Sequence, residues 1–312
     1  MITAHLDAAA MSKVRLGISP AMEALAWLRL TIQGHPHPIF GDPGPSARFA
    51  LRDPDVRMVA GTLPVGKGYM PDLFTPQPPA VAADRAWQTQ LEQVAATDAE
   101  TVAYQMTAVS NPSRDALDAV EAGTFAKRSA DGLARFWTAA IADSWSGLRE
   151  RLDSDLAERA RTMATEGVGA LLGTLHTDIR WTGSALQVDK PWDFESHPSG
   201  LVLAPAALAW PTLFVQIEEP TDGVVYFPAN GLGVPRAVGG PALSRLLGPT
   251  RATLLRDLDV PRTTTDLSTR HRLAPATVSY HLSVLHGSGL VAKARDRRAV
   301  LYWRTDHGNA LR

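Results

Sequence analysis

Between positions 273 and 294 the sequence contains no acidic side chain. Inside that stretch Val278, Leu282 and Leu285 recur at i, i+4 and i+7, the spacing of a buried helix stripe. Ala276, Thr277, Ser279, Tyr280, His281 and Ser283 occupy the rest of the same predicted helix. Hydroxyls, rings and small methyl-bearing side chains can contact base edges, and a surface free of carboxylates meets no like charge in a phosphate-lined major groove. Thr277, Tyr280 and His281 lead as base or groove contacts, with Ala276 beside them and Ser279 on phosphate. The hydroxyls of Thr263, Thr264 and Thr265 can cap the preceding helix or reach phosphate. Arg295, Arg297 and Arg298 crowd the turn between two β-prone runs, 290–294 and 299–303. A hairpin with such a tip sets guanidinium groups on backbone phosphates or in a minor groove.

The charge distribution agrees with that chemistry. The chain has 312 residues and a formal net charge of −1. From Pro241 to the end, 12 Lys and Arg face 5 Asp and Glu, a net of +7; the preceding 240 residues hold 19 against 27, a net of −8. An anion-binding tail on an acidic body is the expected arrangement.

The elements that must position these residues are legible around them. Residues 243–258 read as helix with a break at Gly248-Pro249, and Pro261 stops it. A short helix begins at Asp266 and Leu267 and ends near Arg272. A third opens at Ala274-Pro275, where the missing proline N–H costs nothing, and ends at Gly287 and Gly289. A hairpin follows. The run LGPTRATLLRDLDVPRTTTDLSTRHRLAPATVSYHLSVLHGSGLVAKARDRRAVLYWRT resembles the ArsR/SmtB family of winged helix-turn-helix repressors, most closely in VSYHLSVLHGSGLV, the arginine-rich wing and VLYWRT. The resemblance covers the C-terminal domain. It implies a DNA-binding transcription regulator, usually a repressor, that works as a homodimer on double-stranded DNA. Two departures stand out. TTTDLSTRHR lacks the cysteines of the family's metal sensors, and after the wing the sequence offers only residues 306–312, without the family's C-terminal dimerisation helix. The front of the chain is therefore expected to supply the dimer interface. That front resembles a set of actinobacterial regulators with an uncharacterised domain before an ArsR-like tail, through ISPAMEALAWL, GYMPDLFTP, LRERLDSDLAERA, IRWTGSALQVD, GLVLAPAALAWP and VVYFPANGLG.

Further forward, residues 13–18 alternate polar and apolar and suggest a short strand. Ser19-Pro20 reads as a helix start, Met22, Leu25, Leu28 and Ile32 as its stripe, and Gly34 with the following HPHP as its end. Residues 41–80 suggest loops with short helices. From about 82 to 176 the pattern is helical. Leu133, Trp137, Ile141, Trp145, Leu148, Leu152 and Leu156 predict one long amphipathic helix, with Gly147 as its point of weakness. Five short β-prone runs then suggest a small antiparallel sheet, and glycine-rich GLGVPRAVGGP suggests a boundary. The expected fold is α+β. A mostly helical N-terminal regulatory and dimerisation domain (1–236) with a small antiparallel sheet precedes a linker (237–242) and a C-terminal winged helix-turn-helix (243–312).

Other chemistries find little support. With no cysteine there is no disulfide and no thiolate metal site. His271, His281 and His286 lack metal-site spacing, and His35, His37 and Asp42 read as a surface turn. Residues 61–68 copy the glycine and lysine spacing of a phosphate loop but have Gly68 in place of its Ser/Thr. No nucleophile elbow or acid/base pair is visible, so no enzyme activity, cofactor or metal is expected. No secretion signal or run of about 18 apolar residues is present, which predicts a cytoplasmic protein without a membrane partner. The front domain is large for dimerisation alone. Trp27, Tyr69, Phe74, Trp137 and Trp145 are candidates to line a small-molecule effector pocket. The alternatives are a ligand-independent front domain that only dimerises or holds a protein partner, and an enzyme fused to a DNA-binding tail.

Overall fold

Ser19 opens a 14-residue helix by accepting the Met22 N–H at its hydroxyl, 3.1 Å away, with Pro20 in the first helical position. Gly34 closes it at φ 64°, a left-handed conformation that a side chain would strain. Both ends follow the sequence reading. The structure is a computed structural model that describes residues 1–64, 66, 68–80, 85–190, 193–217, 222–230, 232, 241–258, 260–296, 299–305 and 307–308. The chain divides into two compact units, Met1–Asn230 and Gly231–Arg312.

The first unit begins with β1 (Ile2–His5), α1 (Ala8–Ser12), β2 (Arg15–Leu16), α2 (Pro20–Gln33), α3 (Gly44–Ala50) and α4 (Pro54–Ala60). It continues with α5 (Ala86–Ala95), α6 (Ala99–Thr107), α7 (Arg114–Glu121), α8 (Phe125–Ala140), α9 (Trp145–Glu166) and α10 (Val168–Leu172). Six strands complete it: β3 (Ile179–Trp181), β4 (Ala185–Val188), β5 (Phe194–Ser196), β6 (Leu201–Ala206), β7 (Phe214–Gln216) and β8 (Gly223–Pro228). The second unit holds α11 (Pro241–Leu247), α12 (Pro249–Asp257), β9 (Arg262–Thr263), α13 (Thr264–His271), α14 (Pro275–Gly287), β10 (Val291–Asp296) and β11 (Ala299–Arg304). The fold is α+β, as expected. Of the expected linker, residues 237–240 lie outside the described residues, while Pro241 and Ala242 belong to α11.

Helix α8 is the axis of the helical half and packs on α2, α3, α4 and α5. Its Leu133 and Phe136 are fully buried. Gly132 permits the closest approach, because a Cβ there would stand 2.7 Å from the carbonyl carbon and oxygen of Asp55 in α4. Ion pairs from Arg128 to Asp55 (2.7 Å) and from Arg135 to Asp55 (2.6 Å) brace the same two helices. The predicted single helix through Leu133 and Leu156 is in fact two. It breaks at Ile141 (φ −129°, ψ −38°) and a 3-10 turn, Ala142–Ser144, before α9 restarts at Trp145. Gly147 lies inside α9 with open space around it. The break falls earlier because Ile141, 2% exposed, turns into the core and lets Trp145 meet Trp137 edge-on at 4.8 Å.

The expected antiparallel sheet is two mixed four-stranded sheets. One runs β3-β4-β1-β5, with β1 antiparallel to β4 and parallel to β5. The other runs β2-β6-β8-β7, with β2, β6 and β8 mutually parallel and β7 antiparallel to β8. The physical reason is burial on both faces. All six residues of β6 and five of six in β8 are buried, and parallel strands are covered in this way. One apolar cluster joins both sheets, through Ile2, Leu186, Leu203, Val225 and Phe227 together with Leu171 and Leu172 of α10.

Glu23 of α2 lies at the exit of β6. Its carboxylate is 1% exposed and accepts the N–H groups of Ala207 (2.7 Å) and Leu208 (2.6 Å). Burial pushes its pKa up to about 7, against the lowering pull of those two hydrogen bonds.

Candidate nucleic-acid interface

The second unit is built on a core of Leu254, Leu255, Leu258, Leu267, Val278, Leu282, Leu285 and Val291. Val278, Leu282 and Leu285 are the stripe expected from their spacing. Each is at most 1% exposed, which fixes the direction in which α14 turns its remaining side chains.

Asp257, at the end of α12, locks the three-helix frame. It is 1% exposed and takes Arg270 Nε at 2.8 Å and Nη2 at 3.0 Å, His271 Nε2 at 2.7 Å and Arg262 Nε at 3.0 Å. One buried carboxylate thus ties α12 to β9 and α13. A closed capping box begins α13: Thr263 Oγ1 accepts the Asp266 N–H at 3.0 Å, and Asp266 Oδ2 accepts the Thr263 N–H at 3.1 Å. The hydrogen bonds from Thr263 hold the Asp266 carboxyl below the usual carboxylate range. The turn between α13 and α14 passes through Arg272 at φ 51° and closes when the Ser268 hydroxyl donates to the Leu273 carbonyl at 2.6 Å.

Helix α14 starts at Ala274 without a side-chain cap. The N–H groups of its first turn thus keep their capacity to meet an anion. Ala276, Thr277, Ser279, Tyr280 and Ser283 are exposed, and Tyr280 reaches 63%. His281 is half-buried, packs against the Tyr280 ring at 5.3 Å and 62°, and leaves Nδ1 buried with no hydrogen-bond partner among the described residues. Of the three threonines, Thr263 serves the cap, Thr264 is half-buried and Thr265 is exposed.

The wing is an antiparallel hairpin, with Val291 opposite Arg304, Lys293 opposite Tyr302 and Arg295 opposite Val300. Strand β9 extends it through Thr263 opposite Leu301. Lys293 and Arg295 are exposed and two residues apart, hence on one face of β10. Arg297 and Arg298 lie outside the described residues. Sequence reasoning missed two exposed cations beside α14, Arg272 and Lys293. By sequence, Arg272 marks a helix end and Lys293 falls within a β-prone run, and neither position carries a binding motif of its own.

Among the aromatic candidates of the first unit, Trp137 and Trp145 are in ring contact, and the others have neighbours of their own. Trp27, 7% exposed, lies with His37, which also meets Phe40 and Trp210. Phe74, fully buried, packs on Phe125. Trp137 stacks on Trp87 at 4.4 Å and meets Trp145. Tyr69 donates to Asp72 at 3.1 Å. His37 Nδ1 accepts the N–H groups of Ile39 and Phe40, and Asp42 pairs with Arg48. Among the described residues no group of three His, Asp or Glu is placed to hold a metal ion, and no helix is long and apolar enough to cross a membrane.

Residues 246–294 match the family model of a helix-turn-helix domain. The match runs from the end of α11 through α12, α13 and α14 into the first wing strand. No curated protein and no solved structure matches the chain. The C-terminal unit carries a helix-turn-helix DNA-binding domain; the match does not extend to the first unit.

Proposed function

We propose that this chain is a transcription regulator of the ArsR type, acting as a repressor and as a homodimer on double-stranded DNA in the cytoplasm. The observation that carries the reading is α14. It is a helix pinned by Val278, Leu282 and Leu285, with an exposed hydroxyl and aromatic face free of carboxylates and an exposed cationic strand beside it. Such a helix lies in a major groove while the wing and the turn hold phosphates. A dimer would present two copies of α14 to half-sites about one helical turn apart. The first unit supplies the dimer interface. It also supplies the response to a small-molecule effector, by favouring one spacing of the two helices. It has no catalytic role and needs no cofactor.

A second reading gives the first unit only dimerisation or a protein partner. The packing of Trp27, Phe74 and Trp137 favours it, since each spends its ring on core neighbours.

Binding of the full chain to a labelled fragment of its own upstream DNA, against scrambled DNA and across a salt series, tests the proposal. Preference for the upstream fragment with a steep loss on added salt supports it. Folded protein that binds neither fragment at low salt overturns it. Sedimentation at the same concentrations tests the dimer.

A further inference from the structure

The side chains that α14 exposes are of an unusual kind for a helix in a major groove. From Pro275 to Gly287 the sequence is PATVSYHLSVLHG, without lysine, arginine, asparagine, glutamine, aspartate or glutamate. Guanine is read best by a guanidinium or ammonium on O6 and N7, adenine by a carboxamide on N6 and N7, and cytosine by a carboxylate on N4. None of these partners is available on this helix. It offers the methyl groups of Ala276 and Thr277 in its first turn and the Tyr280 ring one turn later, all exposed. Positions 276 and 277 stand four and three residues from 280, so the three side chains form one ridge. His281 packs edge-on against the Tyr280 ring and restrains it. Apolar groups in a major groove have one distinctive target, the 5-methyl group of thymine.

Resting on the reading that α14 enters a major groove, we infer that this helix recognises thymine by its 5-methyl group, through Ala276, Thr277 and Tyr280. Serine hydroxyls at 279 and 283 serve phosphates or base edges on either side. The charge for binding comes from neighbouring elements, Arg272 in the turn and Lys293 and Arg295 on the wing. Specificity and electrostatic affinity therefore lie on different elements, and the half-site bases facing α14 are rich in thymine.

The test selects duplexes from a random pool with the full-length protein, then replaces each thymine of the selected site by deoxyuridine, which removes only the methyl group. The expected result is at least one thymine per half-site whose replacement weakens binding about three- to fivefold, the effect of withdrawing one buried methyl. Thr277→Ser, which keeps the hydroxyl, or Tyr280→Ala should abolish the loss at its own position. Both side chains are exposed, so the fold tolerates the changes. A site whose affinity is indifferent to deoxyuridine, or DNA bound without sequence preference, overturns the inference while leaving DNA binding intact. Failure of the folded protein to bind any DNA overturns both readings.

Discussion

Asp257 and Arg270 meet in a two-point fork, Nε to Oδ2 at 2.8 Å and Nη2 to Oδ1 at 3.0 Å, with the carboxylate only 1% exposed. A planar guanidinium matches a carboxylate in this way and fixes direction as well as distance. Because Arg262 and His271 bond the same carboxylate, the angle between α12 and α13 rests on one side chain. Asp257→Asn leaves the donors of three residues, Arg262, Arg270 and His271, facing a neutral amide. The expected loss is about 3 kcal/mol for the second unit, typical of breaking a buried pair from one side. Amide hydrogen exchange of α13 and α14 reads it directly. Protection there should fall about a hundredfold while that of α8 is unchanged. Unaltered protection in α13 would show that the other contacts suffice.

Glu23 gives the first unit a pH dependence of definite sign. Its folded pKa is raised to about 7 by burial, against an unperturbed 4.5. The folded state thus holds a proton that the unfolded state releases. The contribution is fully present below pH 4.5 and is lost as pH rises through 7. The size is about 3 kcal/mol over that window. Glu23→Gln cannot titrate, so the difference in unfolding free energy between wild type and variant should slope between about pH 4.5 and 7 and level off above it. A flat difference would mean that water reaches the carboxylate. The variant also loses one acceptor for the Ala207 and Leu208 N–H groups, a pH-independent cost of about 1–3 kcal/mol.

Gly132→Ala sets two effects against each other. Alanine favours a helix over glycine by about 1 kcal/mol. The added Cβ would stand 2.7 Å from backbone atoms of Asp55, which cannot rotate aside as a side-chain tip can. Overpacking of this kind costs about 1–3 kcal/mol and pushes α4 from α8. The Arg128 and Arg135 pairs to Asp55 would stretch with it. A lower melting temperature is the expected net result, and a higher one would show that helix propensity wins.

What the sequence showed and what it hid follow from the range of the interactions. The ends of α2, the break at Gly248-Pro249 and the stripe of α14 depend on neighbours within about a turn, and each was legible. The parallel pairing of β6 with β8 depends on what covers them. Their runs LVLAPA and GVVYFP lack alternation, which is the mark of burial on both faces, yet a succession of short β-prone runs suggests an antiparallel sheet. β1 and β5 escaped notice because they are short and pair across most of the first unit. Asp257 is thirteen residues from Arg270, too far for a helical spacing rule, so the centre of the DNA-binding frame could not be read from the chain. Nor could the ring neighbours of Trp27, Phe74 and Trp137, since residue type alone does not tell a core ring from a pocket wall.

Arg272 and Lys293 are the positions where the structure adds to the candidate site. Both are exposed cations on elements flanking α14, and neither is bound up in the Asp257 cluster. If they hold phosphates, each should weaken binding on every sequence alike. Lys293→Ala should cost about three- to tenfold in affinity and lower the slope of log K against log salt by about one, as for one lost phosphate contact. At position 272 the informative change is Arg272→Gly. The native φ of 51° favours glycine, so the turn is kept while the charge is lost. Unfolding of Arg272→Gly should therefore match or exceed wild type in stability, while its affinity for DNA falls in parallel on specific and scrambled fragments. A loss confined to one sequence would instead place Arg272 on a base, and no loss at all would leave the turn out of the interface.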